Sequence, residues 1–337
     1  MDAPKKNLNV VIVGTGAISA VHADAIGKIG NLNLTACWNR PEEREKGETF
    51  ADKYKIKYYP SLEGMLDSEK PDITVNCLAY GHRCLGLEKA AMNGSHLVLE
   101  KPMGISVEAC KKMIGISERH HVKLAVSESS GFNGLNLSYQ YLRGHFGKTI
   151  HVIDSNYRDY FSAHRNPWAF DPVEGFGGMI LNVGVHRVSR LRIFAGAEEY
   201  SVSACTGKMD RSVEGDACML IRYKNNACGI IMMCGYHNPG KANSNITRIV
   251  TEKGNVIPGD EIVFTHSDGT EEKFPVESRF ADGEYTNFYS AFTESIISDA
   301  PSPYSGEMGM RDLAVIFAAF KSQQEKREVT IDEIICS

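Results

Sequence analysis

The chain has 337 residues, more than one hydrophobic core usually spans, so two domains are expected. Its hydrophobic and charged fractions, 42% and 23%, are those of a globular protein rather than a fibrous or disordered one. A formal net charge of -5 without long Lys/Arg runs argues against nucleic acid or an anionic membrane as the main partner.

The first element is an apolar run, Leu8 to Val13, of the kind found in strands buried on both faces of a parallel sheet. Gly14 and Gly16 follow at once. Gly14 permits a tight turn, and Gly16 has no side chain to keep a pyrophosphate from the backbone. A helix starting at Ala17 and Ile18 would aim its free N–H groups and positive dipole end at that anion. The stretch GTGAIS is therefore a dinucleotide fingerprint with one departure, Ser19 at the third small position.

A second strand is expected at Leu32 to Trp38, a charged helix at Pro41 to Tyr54, and a buried strand at Ile73 to Ala79. The helix Leu85 to Met92, the strand His96 to Leu99, the helix Val107 to His120 and a strand from Lys123 to Ser127 complete the series. Strand–helix alternation at this spacing implies an α/β domain with a doubly wound parallel sheet. The pattern then changes. Strands at 150–161, 200–208, 216–224, 227–236, 245–251 and 261–266 imply an antiparallel or mixed sheet, with helices at 178–195, 285–298 and 307–325. The boundary is placed at residue 126, giving domains 1–126 and 127–337.

Three clusters carry chemistry. Glu100-Lys101-Pro102 ends a parallel strand, so Lys101 lies at the mouth of a nucleotide crevice, although a solvated strand end can also carry a lysine. In Gly177-Gly178…Asn182…His186, the last two residues are four apart and share one helix face. A satisfied core histidine fits that pattern too. A catalytic one needs an open crevice and a partner for its ring. Third, Tyr160 ends a strand and His164 and Trp168 follow in a loop; the group suits either a sugar pocket or a surface loop with one buried Trp. His22, Glu128 and His237 read as structural.

The second strand ends in Asn39 and Arg40. An acid there would favour NAD, whereas Arg40 can accommodate a 2′-phosphate or stack on adenine, and Asn39 can still bind a ribose hydroxyl; the cofactor is NAD or NADP. The opening MDAPKKN has no signal-peptide core, and the longest apolar runs are too short to span a bilayer. Nine scattered cysteines without zinc spacing read as free thiols of a cytoplasmic protein, with no metal site.

Together, GTGAIS, EKP and GG…N-x-G-x-H resemble the Gfo/Idh/MocA family of NAD(P)-dependent sugar and polyol dehydrogenases, essentially end to end. ADKYKIKYYPSLEGML, AAMNGSHLVLEKPMG and GGMILNVGVHRVSRLRIFAG resemble family text as well. The resemblance implies a Rossmann domain followed by a substrate-binding α/β domain whose large open, mostly antiparallel sheet supports a homo-oligomer, dimer, tetramer or larger. It implies that Gly14, Gly16, Ala17, Ile18, Asn39, Arg40, Ala79, His82, Glu100 and Lys101 hold the cofactor. Lys101, His186 and Asn182 carry the chemistry, and Lys101, Tyr160, His164, Trp168, Asn182 and His186 face a sugar or polyol. Asn182 and Ser189 depart from family positions that commonly carry Asp. A carboxylate at 182 would raise the His186 pKa; an amide orients but supplies no charge. The activity implied is hydride transfer between nicotinamide and a carbinol, with C3 of a glycoside as one variant. The alternatives are transient redox within an elimination or epimerisation, and a nicotinamide-binding regulator that has lost turnover.

Overall fold

The computed structural model describes residues 7–162, 167–173, 176–236 and 243–337, with the backbone alone at 167, 168, 243 and 244. The chain divides into two units: Met1–Glu128 with Glu284–Met310, and Ser129–Gly283 with Arg311–Ser337.

In the first unit, β1 (Leu8–Val13), α1 (Ala17–Ile26), β2 (Leu32–Trp38), α2 (Arg44–Tyr54), β3 (Lys57–Tyr58) and α3 (Leu62–Glu69) come first. They lead into β4 (Ile73–Asn76), α4 (Leu87–Met92), β5 (His96–Glu100), α5 (Val107–Arg119) and β6 (Leu124–Ser127). The six strands lie in the order β3-β2-β1-β4-β5-β6 with every pair parallel. Val10, Val11, Ile12, Leu97, Val98 and Leu99 are wholly buried. Side chains on both faces of these strands are thus covered, which is why the sequence shows continuous apolar runs rather than alternation. The winding reverses at β1, between β2 and β4, and sheets of this kind hold ligands beyond the carboxyl ends at that point.

Several boundaries move. The strand expected to reach Ala79 stops at Asn76, whose side chain accepts from the Leu78 N–H (3.1 Å) and donates to the Arg83 carbonyl (3.0 Å), turning the chain out of the sheet. The charged segment after Pro41 opens with a 3-10 turn, Pro41–Glu43, before α2. The elements β3 and α3 occupy a stretch to which the sequence pattern assigned none.

The second unit contains α6 (Gly134–Phe146), β7 (Thr149–Arg158), α7 (Gly178–Ala195), β8 (Glu199–Gly207), β9 (Asp216–Tyr223) and β10 (Cys228–Cys234). Then come β11 (Asn243–Thr251), β12 (Gly254–Pro258), β13 (Ile262–His266) and β14 (Glu271–Phe274). The chain continues with α8 (Glu284–Ile297), α9 (Gly306–Glu325), β15 (Val329–Thr330) and α10 (Ile331–Ile335). Nine strands form one sheet, β14-β13-β12-β11-β7-β10-β9-β8-β15; β7 and β10 are parallel and the other pairs antiparallel. Alternation is clear in β9, where Ala217, Met219 and Ile221 are buried and Cys218 and Arg222 exposed. Helix α7 packs on β7 and β10. On the opposite face Ile153, Met232 and Ile246 remain exposed.

Helix α8 follows the second unit's strands in sequence but packs on α1 and β6 of the first. Phe288, Tyr289 and Phe292 are fully buried there. A single cut at 126/127 therefore does not describe the chain path: the division falls after Glu128, and residues 284–310 return to the first unit. Among the described residues no helix is long and apolar enough to cross a membrane.

Candidate active site

The turn after β1 has two dissimilar glycines. Gly14 takes φ +89°, and a Cβ there would lie 3.0 Å from the Leu78 backbone nitrogen, so both conformation and space require glycine. At Gly16 a Cβ would meet nothing within 4 Å. Gly16 is the N-cap of α1, no side chain caps the helix, and its first turn holds no acid. Gly16 and Ala17 are exposed and Ile18 is half-buried at this uncapped helix start, whose positive dipole end has room for an anion, and the pyrophosphate of a dinucleotide fits. The buried Ser19 hydroxyl donates to the Gly14 carbonyl at 2.7 Å, so the departure from the fingerprint ties the turn together.

At the end of β2, buried Asn39 donates to Thr15 Oγ1 (2.7 Å) and the Glu43 carbonyl (3.3 Å) and accepts from the Arg40 N–H (2.9 Å). Its amide closes the β2 turn onto the glycine turn. Arg40 pairs with Glu42 at 3.1 Å and Glu43 at 3.6 Å, and its Nη1 lies 3.3 Å from His82 Nε2. Arg40 and His82 therefore meet across the ends of β2 and β4, with two acids already competing for the guanidinium. Ala79 is exposed and opens the 3-10 turn Tyr80–His82, its carbonyl accepting from the His82 N–H at 2.9 Å.

Beyond β5, Lys101 is half-buried and its preceding residue Glu100 is buried. Glu100 Oε1 faces His22 Nε2 (3.1 Å) and accepts from Ser127 Oγ (2.7 Å) and Tyr285 Oη (3.2 Å). Burial alone would raise the Glu100 carboxyl. The His22 hydrogen bond and the charges of His22, Lys101 and Arg83 outweigh it and hold the group at about 2. For His22, burial opposes the charge, but Cys77 and Glu100 together raise its pKa. Sequence reasoning left His22 without a chemical role and missed Ser127, Tyr285 and Tyr289. No local pattern joins residues so far apart along the chain.

In the second unit α7 begins at Gly178, where φ is +53° and a Cβ would lie 2.3 Å from the Glu214 carbonyl oxygen. Asn182 and His186 lie on one face of this helix, both half-buried. Asn182 Nδ2 donates to Tyr160 Oη at 3.3 Å, and His186 Nδ1 lies 3.1 Å from Ser130 Oγ. Tyr160 is fully buried and edge-on to Phe161 and Phe170, so its ring is packed within the unit and its hydroxyl is what it offers Asn182. The Ser189 hydroxyl is buried with no hydrogen-bond partner among the described residues. His164, His237 and the side chain of Trp168 lie outside the described residues.

Residues 8–128 match an oxidoreductase family with an NAD-binding Rossmann fold, Gfo/Idh/MocA, and residues 142–331 match that family's C-terminal α/β domain. The chain is 24% identical to a myo-inositol 2-dehydrogenase of Thermotoga maritima over 97% of its own length and 100% of the relative's. It is 23% identical to an inositol 2-dehydrogenase of Rhizobium meliloti, over 95% and 98%. An oxidoreductase from Agrobacterium radiobacter, solved with NAD+, L-tartaric acid and magnesium, superposes with a TM-score of 0.86 at 18% identity, covering 97% of this chain and 99% of that one.

Proposed function

The chain belongs to the Gfo/Idh/MocA oxidoreductase family, and from that premise we propose that it moves hydride between NAD or NADP and a carbinol carbon of a sugar, glycoside or cyclic polyol. One observation carries the reading. Four neighbouring strands, β2, β1, β4 and β5, bring Arg40, the glycine turn, His82 and Lys101 to the carboxyl edge of one parallel sheet.

Gly14, Gly16, Ala17 and Ile18 would hold the pyrophosphate, and Asn39 and Arg40 the adenosine end. Ala79, His82, Glu100 and Lys101 would hold the nicotinamide end. When bound, the nicotinamide would accept or supply the hydride. Lys101 donates a hydrogen bond to the reacting oxygen and stabilises the negative charge that develops on it. In the oxidative direction His186 takes the hydroxyl proton, and Asn182, backed by Tyr160, orients the ring or the substrate. His164 and Trp168, candidates from the sequence alone, would add contacts to the sugar. Relatives named as inositol 2-dehydrogenases support a ring hydroxyl as the reacting group; C3 of a glycoside is the same chemistry. On this reading the first unit binds the dinucleotide and the second the substrate. Exposed Ile153, Met232 and Ile246 on the open sheet face support a homo-oligomer, and nine unpaired thiols support a cytoplasmic location.

The test is absorbance at the nicotinamide band with a panel of sugars and inositols. At least one compound should reduce or oxidise the cofactor, and Lys101→Ala should lose about a hundredfold or more of turnover while keeping cofactor affinity. Cofactor binding with no turnover on any member would contradict the reading. Asn182 favours a second reading, a regulator impaired in turnover; a large gain of turnover in Asn182→Asp would support it.

A further inference from the structure

Lys101 is held by its main chain at both ends. Its N–H donates to Glu100 Oε2 at 3.1 Å, and its carbonyl accepts from Arg83 Nη2 at 3.3 Å. Both holding groups are themselves buried and fastened. Arg83 Nη1 donates to the Asn76 carbonyl (3.1 Å) at the end of β4. Glu100 is fastened through its other oxygen by His22, Ser127 and Tyr285. His22 is wholly enclosed: Nδ1 lies 2.6 Å from Tyr289 Oη, and the rings of Tyr285 and Tyr289 stand edge-on to it at 5.0 and 5.7 Å. With His22 protonated, both ring nitrogens donate, one to Glu100 and one to Tyr289.

A buried ion pair is a weak way to stabilise a fold, because desolvation offsets most of the attraction and apolar residues of equal volume serve as well. What it provides is direction. The bonds from His22, Ser127 and Tyr285 constrain the carboxylate that grips the Lys101 amide, and Arg83 holds the Lys101 carbonyl. We propose that His22 and Glu100, backed by Tyr285 and Tyr289 of α8, form a clamp with Arg83 that fixes the backbone from which the Lys101 ammonium projects, which makes them positioning residues for the reaction. The inference rests on the role given to Lys101 above. Tyr285 and Tyr289 of α8, which returns to the first unit, close the clamp from behind.

The experiment compares His22→Phe, His22→Gln, Glu100→Gln and Lys101→Ala in the full chain. It reads the unfolding midpoint, cofactor Kd, kcat, KM and the hydrogen-exchange rate of the Lys101 amide in cofactor-free protein. In His22→Phe we expect a cofactor Kd within about threefold, a kcat lowered by about tenfold to a hundredfold, and a Lys101 amide that exchanges faster. His22→Gln, which can donate to Glu100 and accept from Tyr289, should recover most of kcat and of the protection. The clamp is overturned if His22→Phe keeps kcat and protection while Lys101→Ala loses turnover; the role of Lys101 then stands. Full turnover in Lys101→Ala removes that role and the clamp with it. Should His22→Phe not fold, Glu100→Gln carries the same comparison, and wild-type kcat and protection in that variant contradict the clamp.

Discussion

Helices α1 and α7 both start at glycines, and in the sequence the two starts read alike. The structure gives them opposite reasons. A Cβ at Gly16 meets nothing within 4 Å, whereas at Gly178 it falls 2.3 Å from the Glu214 carbonyl oxygen and 2.9 Å from Val213 Cβ. The first glycine leaves room above a helix start; the second lets a helix start press against its own unit. An open glycine at an uncapped helix end leaves room for an anion, and a crowded one marks packing.

The largest effect expected from this contrast is at Gly178. Gly178→Ala combines positive φ with a backbone overlap, so stability should fall by about 3 kcal/mol or more, or the chain should not fold, as read by urea denaturation. A midpoint equal to wild type would break the contrast. Gly16→Ala should do the reverse. Its unfolding midpoint should hold within about 0.5 kcal/mol, while cofactor Kd weakens by about tenfold or more, about 1.4 kcal/mol; an unchanged Kd would remove Gly16 from the cofactor site.

Two smaller effects sharpen the contrast by asking what holds the first unit's open edge. The folded Glu100 carboxyl lies at about 2, below its ordinary value of 4.5. A depressed carboxyl contributes stability above its ordinary pKa and loses it as pH falls toward the folded one. The stability difference between wild type and Glu100→Gln should therefore be largest between about pH 5 and pH 6.5, shrinking toward pH 2 as Glu100 takes up a proton and, at higher pH, as His22, whose pKa Glu100 helps to raise, loses its own. A difference independent of pH would mean that charge plays no part. Ser19→Ala, which leaves the Gly14 carbonyl without its 2.7 Å donor, should cost about 1 kcal/mol, measured by the same unfolding curves.

The parallel half was readable because Val10 to Val13 and Leu97 to Leu99 are buried on both faces and announce themselves as unbroken apolar runs. Lys101 and His186 were readable by their place at a strand end and on a helix face. Other features were hidden for identifiable reasons. Helix α6 buries Leu135, Tyr139 and Phe146 but carries Asn, Ser, Gln and one glycine between them, which blurs its period. His22 looked like any helix histidine because its partners Glu100 and Tyr289 are 78 and 267 residues away. The return of α8 to the first unit is likewise a long-range choice, made by Phe288 and Phe292 packing rather than by any local motif.

The hydride transfer itself is tested most directly by following a deuterium label. A sugar or inositol deuterated at the reacting carbinol carbon is turned over with the oxidised cofactor, and the reduced nicotinamide is weighed by mass spectrometry. The expected result is deuterium on the nicotinamide and a turnover slowed by the label. Deuterium released to water, with the nicotinamide unlabelled, would contradict direct transfer.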